Sequence, residues 1–140
     1  MNRASVKYSD LNARAKENYN AAQLGAALAH YGYFAMKLTD DFNGADLIAL
    51  REGEPPMMIQ LKSRPTIDRK YMAKGLYMSF PVDGRWCVIL HDELVELFEA
   101  QGYLKSASWR DKGGYSMSAP SQSLSGALSQ YMLQEFSTEI

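Results

Sequence analysis

Apolar positions recur with two different periods along the first half of the chain. From Asp10 to Tyr31 the sequence is alanine-rich, and positions 17, 21, 24, 28 and 31 fall on one helical stripe reading Glu17, Ala21, Leu24, Leu28 and Tyr31. The spacing predicts a helix over 10–31, with Ser9 or Asp10 as N-cap and Gly32 as its stop. A carboxylate thus extends the apolar stripe at its N-terminal end, which turns Glu17 toward the body of the protein. Beyond Gly32 the signal changes to short apolar runs. Tyr33–Leu38, Ala45–Leu50 and Met57–Lys62 predict strands, the first two joined by the hairpin signal Asn43-Gly44 and the last two by a turn containing Gly53, Pro55 and Pro56. Asp40 and Asp41, beside Asn43-Gly44, are read as turn residues.

Pro65 closes the third strand, and Asp68–Lys74 predicts a short helix or ordered loop leading into Leu76–Phe80. Arg85–Leu90 is the next strand, entered through Asp83-Gly84. Asp92–Ala100 is an amphipathic helix: its early acids suit the macrodipole, Leu94, Val95, Leu97 and Phe98 face inward, and Gly102 ends it. Trp109–Ser118 suggests a hairpin around Gly113-Gly114, and Pro120–Leu133 a last helix with Leu124, Leu128 and Tyr131 inward. No repeat, linker or low-complexity tract divides the chain, so residues 1–140 are expected to form a single domain.

Composition narrows the class. With 140 residues, 46% hydrophobic and 22% charged, the chain can bury roughly two thirds of its unfolded surface, enough for a core without staples. Cys87, the single cysteine, permits neither an internal disulfide nor a Cys-rich zinc site, which fits a reducing compartment, the cytoplasm by default. No apolar run approaches the ~20 residues needed to span a bilayer, so no membrane partner is expected. The formal charge of −1 hides an asymmetry: residues 1–74 carry 11 basic and 8 acidic side chains, residues 75–140 carry 4 and 8. Much of the positive charge lies in Lys62–Lys74, where Lys62, Arg64, Arg69, Lys70 and Lys74 face one acid, Asp68. Such a run can neutralise phosphates, although a solvated face is its ordinary role.

The candidate chemistry sits just before that run. Side chains alternate across a strand, so Gln60 and Lys62 point the same way, about 6.6 Å apart. The preceding strand has its one charge at Asp46, and an isolated carboxylate in an apolar strand is costly unless paired, hydrogen-bonded or metal-bound. If the two strands pair around the 53–56 turn, Asp46 lies beside Gln60 and Lys62 with Glu17 approaching from the first helix. Two carboxylates, an amide oxygen and an ammonium suit Mg²⁺ and phosphodiester chemistry, because hard oxygen ligands hold the ion while a lysine serves the nucleophile or the developing charge.

In this order of elements the chain resembles the PD-(D/E)XK nuclease superfamily over about residues 10–100. Asp46, in NGADLIAL, matches the acid of the family's second strand; Lys62, in IQLKSR, matches its lysine; and Glu17 matches the acid many members carry on the first helix. Gln60 departs from the usual Asp or Glu, resembling some resolvase-like, repair and homing enzymes of the superfamily, and withdraws one negative charge from the site. The resemblance implies an α/β, restriction-endonuclease-like core (α-β-β-β-α-β) with a central mixed sheet flanked by helices. It also implies a Mg²⁺-dependent deoxyribonuclease, with Mn²⁺ as substitute metal and no organic cofactor.

The implied metal ligands are Asp46, Glu17, Gln60 and the backbone carbonyl of Leu61, with Lys62 as the group that activates the nucleophile. DNA is the expected partner, with Ser63, Arg64, Arg69, Lys70 and Lys74 as candidate phosphate contacts and a homodimer as a possible assembly. A catalytically silent nuclease-fold module that binds DNA or another protein stays open as the alternative. His30, His91 and Cys87 belong to no ligand or nucleophile pattern, and Trp86 and Trp109 are expected to pack in the core.

Overall fold

The structure, a computed structural model, describes residues 2–134. Its centre is a five-stranded mixed sheet in the order β1-β2-β3-β5-β6, built from β1 (Phe34–Phe42), β2 (Ala45–Leu50), β3 (Met57–Leu61), β5 (Tyr77–Val82) and β6 (Arg85–Leu90). A second ribbon pairs β4 (Thr66–Asp68) with β7 (Gly114–Ser116). Helix α1 (Ala13–Ala29) covers one face of the sheet, while α2 (His91–Ala100) and α3 (Gln122–Leu128) belong to the other. This is the mixed α/β architecture expected, a central sheet flanked by helices.

Helix α1 starts later than expected because Asn12, rather than Ser9 or Asp10, supplies the cap: its side chain accepts the Ala15 N–H at 2.8 Å. Residues Tyr8–Asp10 instead form a separate 3-10 turn. From the stripe predicted by sequence, Ala21, Leu24 and Leu28 are buried against Leu47, Ala49, Met57 and Ile59. Burying each leucine contributes about 1.5–3 kcal/mol. Across the sheet, Met78, Phe80, Cys87 and Ile89 pack with Leu94, Phe98, Leu124 and Leu128. Cys87 is buried there and its thiol is pushed up to about 12 by burial, so it serves as a small core residue.

The β1–β2 hairpin turns at Asn43 (φ 52°) and Gly44 (φ 93°), a pair of positive φ values that the Asn-Gly signal anticipates. The strand before it is longer than predicted, so Asp40 and Asp41 lie in β1 rather than in the turn. At the other end of β2, Arg51 pairs with Glu54 and stacks over Tyr33 at 4.6 Å, fastening the turn into β3.

The connection from β3 to the parallel strand β5 differs from expectation. Where a short helix or ordered loop was expected over Asp68–Lys74, the chain forms strand β4, which ends at Asp68, and a 3-10 turn over Arg69–Tyr71. Tyr71 is buried in the second core, so it packs rather than contacting ligand. The Trp109–Ser118 hairpin also fails to form. Ser108–Lys112 is a π-helical turn, Gly113 takes a left-handed conformation, and residues 114–116 pair with 66–68. The last helix is likewise shorter than Pro120–Leu133: Ser121 caps α3, which ends at Leu128 and is followed by a 3-10 turn. The final third of the chain therefore braces the basic crossover. Among the described residues no helix is long and apolar enough to cross a membrane.

Candidate active site

Two breaks in the sheet meet at Asp46. In the β1–β2 ladder Lys37 pairs with Leu47 and Phe42 with Ala45, so residues 38–41 of β1 stand opposite Asp46 alone. Surplus residues of this kind bend a strand and re-aim side chains. On the other side, the β2–β3 ladder runs from Ala49–Met57 to Leu47–Ile59. There the Asp46 carboxylate takes over as acceptor, receiving the Leu61 N–H on Oδ2 at 2.9 Å. Continuing the register by one residue sets Asp46 opposite Gln60. Asp46 is thereby released from regular pairing on both flanks.

The bulge opens a cleft of about 540 Å³ lined by Arg14, Glu17, Lys37, Thr39, Asp41 and Asp46, among others. Lys37 donates to Asn18 Oδ1, tying β1 to α1 at its rim. Within this cleft the half-buried Asp46 has its carboxyl raised above the ordinary aspartate value, first because burial strips water from the charged form. Glu17 and Asp41 add repulsion. The Leu61 N–H and, more weakly, the Lys62 ammonium act in the opposite direction. Glu17 itself is exposed, at the N-terminal part of α1.

Gln60 is buried in β3 with its backbone paired to Met78 of β5. Lys62 follows immediately after the strand; its N–H donates to the Ser79 carbonyl at 2.8 Å, extending the β3–β5 pairing, and its half-buried side chain reaches the field of Asp46. The structure thus places Asp46 within electrostatic reach of both Glu17 and Lys62, with Gln60 across the β2–β3 pair; Glu17 lines the cleft with Asp46, whereas Gln60 and Lys62 are not among its lining residues. Among the described residues no three His, Cys, Asp or Glu side chains converge into a closed metal cage. The cleft instead offers the sparse carboxylate set that suits an ion keeping most of its water, as Mg²⁺ does. In that sense the residues present fit the ion.

The basic run is spread over the crossover. Ser63, Arg64, Lys70 and Lys74 are exposed. Arg69, also exposed, is committed to contacts within the chain: its guanidinium donates to the Trp109 and Arg110 carbonyls and lies 5.1 Å from the Trp109 ring. A residue set aside by sequence secures the same crossover. His91, buried at the start of α2, accepts the Asp68 N–H on Nε2 at 3.0 Å, which leaves its Nδ1–H for Asp92 Oδ1 at 3.2 Å. Asp92 also accepts from the Ala73 N–H. Burial lowers the His91 pKa, so the ring is held neutral as a latch between β4 and α2.

Sequence reasoning missed Asp41, which it assigned to the turn, and Lys37. Asp41 enters the cleft through the β1 bulge, and Lys37 lines it from the last regular β1–β2 pair before the bulge; the surplus of residues between the paired apolar runs is the sequence signal for the bulge. No family model matches the chain, and no curated protein matches it. Among solved structures it is similar to a Holliday junction resolvase, Hjc of Archaeoglobus fulgidus, at 18% identity over 54% of this chain and 76% of that one, with a TM-score of 0.41.

Proposed function

We propose that this chain is a metal-dependent DNA endonuclease of the PD-(D/E)XK kind. The observation that carries the reading is Asp46: a half-buried carboxylate released from both neighbouring strands into a cleft with Glu17, and within the field of Lys62, just past the end of β3. A carboxylate stripped of water and crowded by other acids is disfavoured in its charged form, and a cation in the cleft relieves that penalty. When bound, Mg²⁺ or Mn²⁺ supplies Lewis-acid polarisation of a phosphoryl oxygen and lowers the pKa of its water. Asp46 and Glu17 would hold the ion, with the Gln60 amide oxygen and the Leu61 carbonyl as neutral donors.

Lys62 orients the attacking water or balances charge on the phosphoryl oxygens, both of which require an ammonium near Asp46. Gln60, being neutral, leaves the donor set one charge short of the usual family site. Ser63, Arg64, Lys70 and Lys74 provide exposed contacts for the DNA backbone, whereas Arg69 acts by holding the crossover in place. A second copy of the chain would serve the second strand of a duplex.

The test is a cleavage assay on plasmid, linear, single-stranded and branched DNA with Mg²⁺ or Mn²⁺, run beside Asp46→Ala, Lys62→Ala and an EDTA control. Metal-dependent cutting that disappears in both variants is the expected result. An undiminished rate for Lys62→Ala removes it from the mechanism. DNA binding without any cutting replaces the reading with a silent nuclease-fold module.

A further inference from the structure

Helix α1 separates two clefts. Arg14 and Glu17 line the one containing Asp46, whereas Tyr19, Asn20 and Gln23 line a second, of about 460 Å³, together with Tyr8, Ser63 and Trp86. The Tyr8 and Tyr19 rings lie 5.3 Å apart, tilted by 55°, and stay 43% and 47% exposed. They belong to neither core. The Asn20 amide donates to the Tyr8 hydroxyl at 3.0 Å and holds that ring in place, while Lys16 Nζ sits 5.5 Å from its centroid.

Resting on the nuclease reading above, we infer that this second pocket is a nucleobase subsite that receives an unpaired base next to the phosphate at Asp46 and Lys62. Aromatic rings give a planar base a surface on which to stack, and the amide, hydroxyl and serine groups can serve the polar edge that the base presents when it is out of a duplex. Charge points the same way. Among the described residues no carboxylate lines the pocket, and the Lys16 ammonium stands over its Tyr8 ring, the setting for a phosphate-bearing occupant rather than an apolar one. Continuity with the candidate active site is direct, because Ser63 follows Lys62 and Asn20 stands one helical step, about 4.5 Å of rise, beyond Glu17. A base inside an intact duplex cannot reach these rings without leaving the stack. The substrate class is therefore nucleic acid with an unpaired nucleotide at the cleavage position.

Equilibrium binding in EDTA tests this without cleavage. The probes are a short fluorescein-labelled oligodeoxythymidylate and its abasic counterpart, which carries the same phosphates and no bases. The native chain should prefer the thymidylate, and Tyr19→Ala should weaken that probe roughly 5- to 150-fold, the span of base–aromatic stacking on alanine substitution, while leaving the abasic probe unchanged. Tyr19→Phe should restore the preference. Equal binding of both probes by the native chain, equal loss of both in Tyr19→Ala, or no binding of either overturns the subsite. Metal-dependent cutting measured separately shows whether the nuclease reading stands in each of those cases.

Discussion

Replacing Asp46 in two ways separates its hydrogen bond from its charge. Asp46→Ala removes the acceptor of the Leu61 N–H and leaves a part-buried donor without its partner. That costs about 1–3 kcal/mol, and at this chain length each kcal/mol lowers Tm by about 3–5 °C. Asp46→Asn keeps an oxygen for Leu61 and removes only the charge. Because the native carboxyl is raised above the ordinary 3.8, the folded state holds a proton more tightly than the unfolded one between that value and the raised one. The contribution of Asp46 to stability is therefore complete below 3.8 and is lost as pH rises through the raised native value. At pH 7 the charged carboxylate is a net cost, so Asp46→Asn should melt at or above the native chain, and Asp46→Ala below it.

Thermal unfolding followed by circular dichroism in EDTA at pH 7 reads all three proteins, and the advantage of Asp46→Asn should shrink as the pH is lowered. Adding Mg²⁺ at a hundred times its Kd should stabilise the native chain by about 2.7 kcal/mol and leave Asp46→Asn unchanged. If Asp46→Asn instead falls as far as Asp46→Ala, attraction to Lys62 outweighs burial and the repulsion of Glu17 and Asp41, and the picture of a stressed carboxylate awaiting a cation is wrong.

Gly44→Ala should destabilise the fold by about 1–3 kcal/mol, because the residue has φ 93° and an added Cβ would sit 2.8 Å from Tyr71 Cε1; chemical denaturation measures it. His91→Ala should cost about 2 kcal/mol or more by orphaning the Asp68 N–H. In the native chain His91 also makes stability fall as pH drops below the ordinary 6.5, since the unfolded chain takes up a proton that the buried ring resists; the variant should lose that part of the pH dependence. Arg64→Ala should weaken DNA binding at low salt and lower the slope of log K against log salt by about one, measured by fluorescence anisotropy; an unchanged slope removes Arg64 from the phosphate contacts.

Local chemistry explains why part of the architecture was readable in advance. The stripe Ala21, Leu24 and Leu28 marked the buried face of α1, the run Ala45–Leu50 coincides with β2 at both ends, and Asn43-Gly44 marked the hairpin. Asp46 stood out because a charge in an apolar strand needs an explanation that neighbours in sequence do not supply. The short ribbon β4–β7 was invisible for the opposite reason: residues 66–68 and 114–116 find their partners far along the chain, and nothing in Gly113-Gly114 distinguishes a hairpin from a strand pairing elsewhere.

Sequence by itself determined the elements whose signals are local: the apolar period of α1, the strands around the candidate site and the Asn-Gly turn; it also singled out Glu17, Asp46, Gln60 and Lys62 as candidates. Tertiary structure decided how they combine. Only pairing shows that residues 38–41 face Asp46 alone and carry Asp41 into its cleft, that Arg69 is spent on the Trp109 and Arg110 carbonyls, and that His91 latches the crossover. Register, burial and the field at a carboxylate depend on residues distant in sequence, so they exist only once the chain has closed on itself.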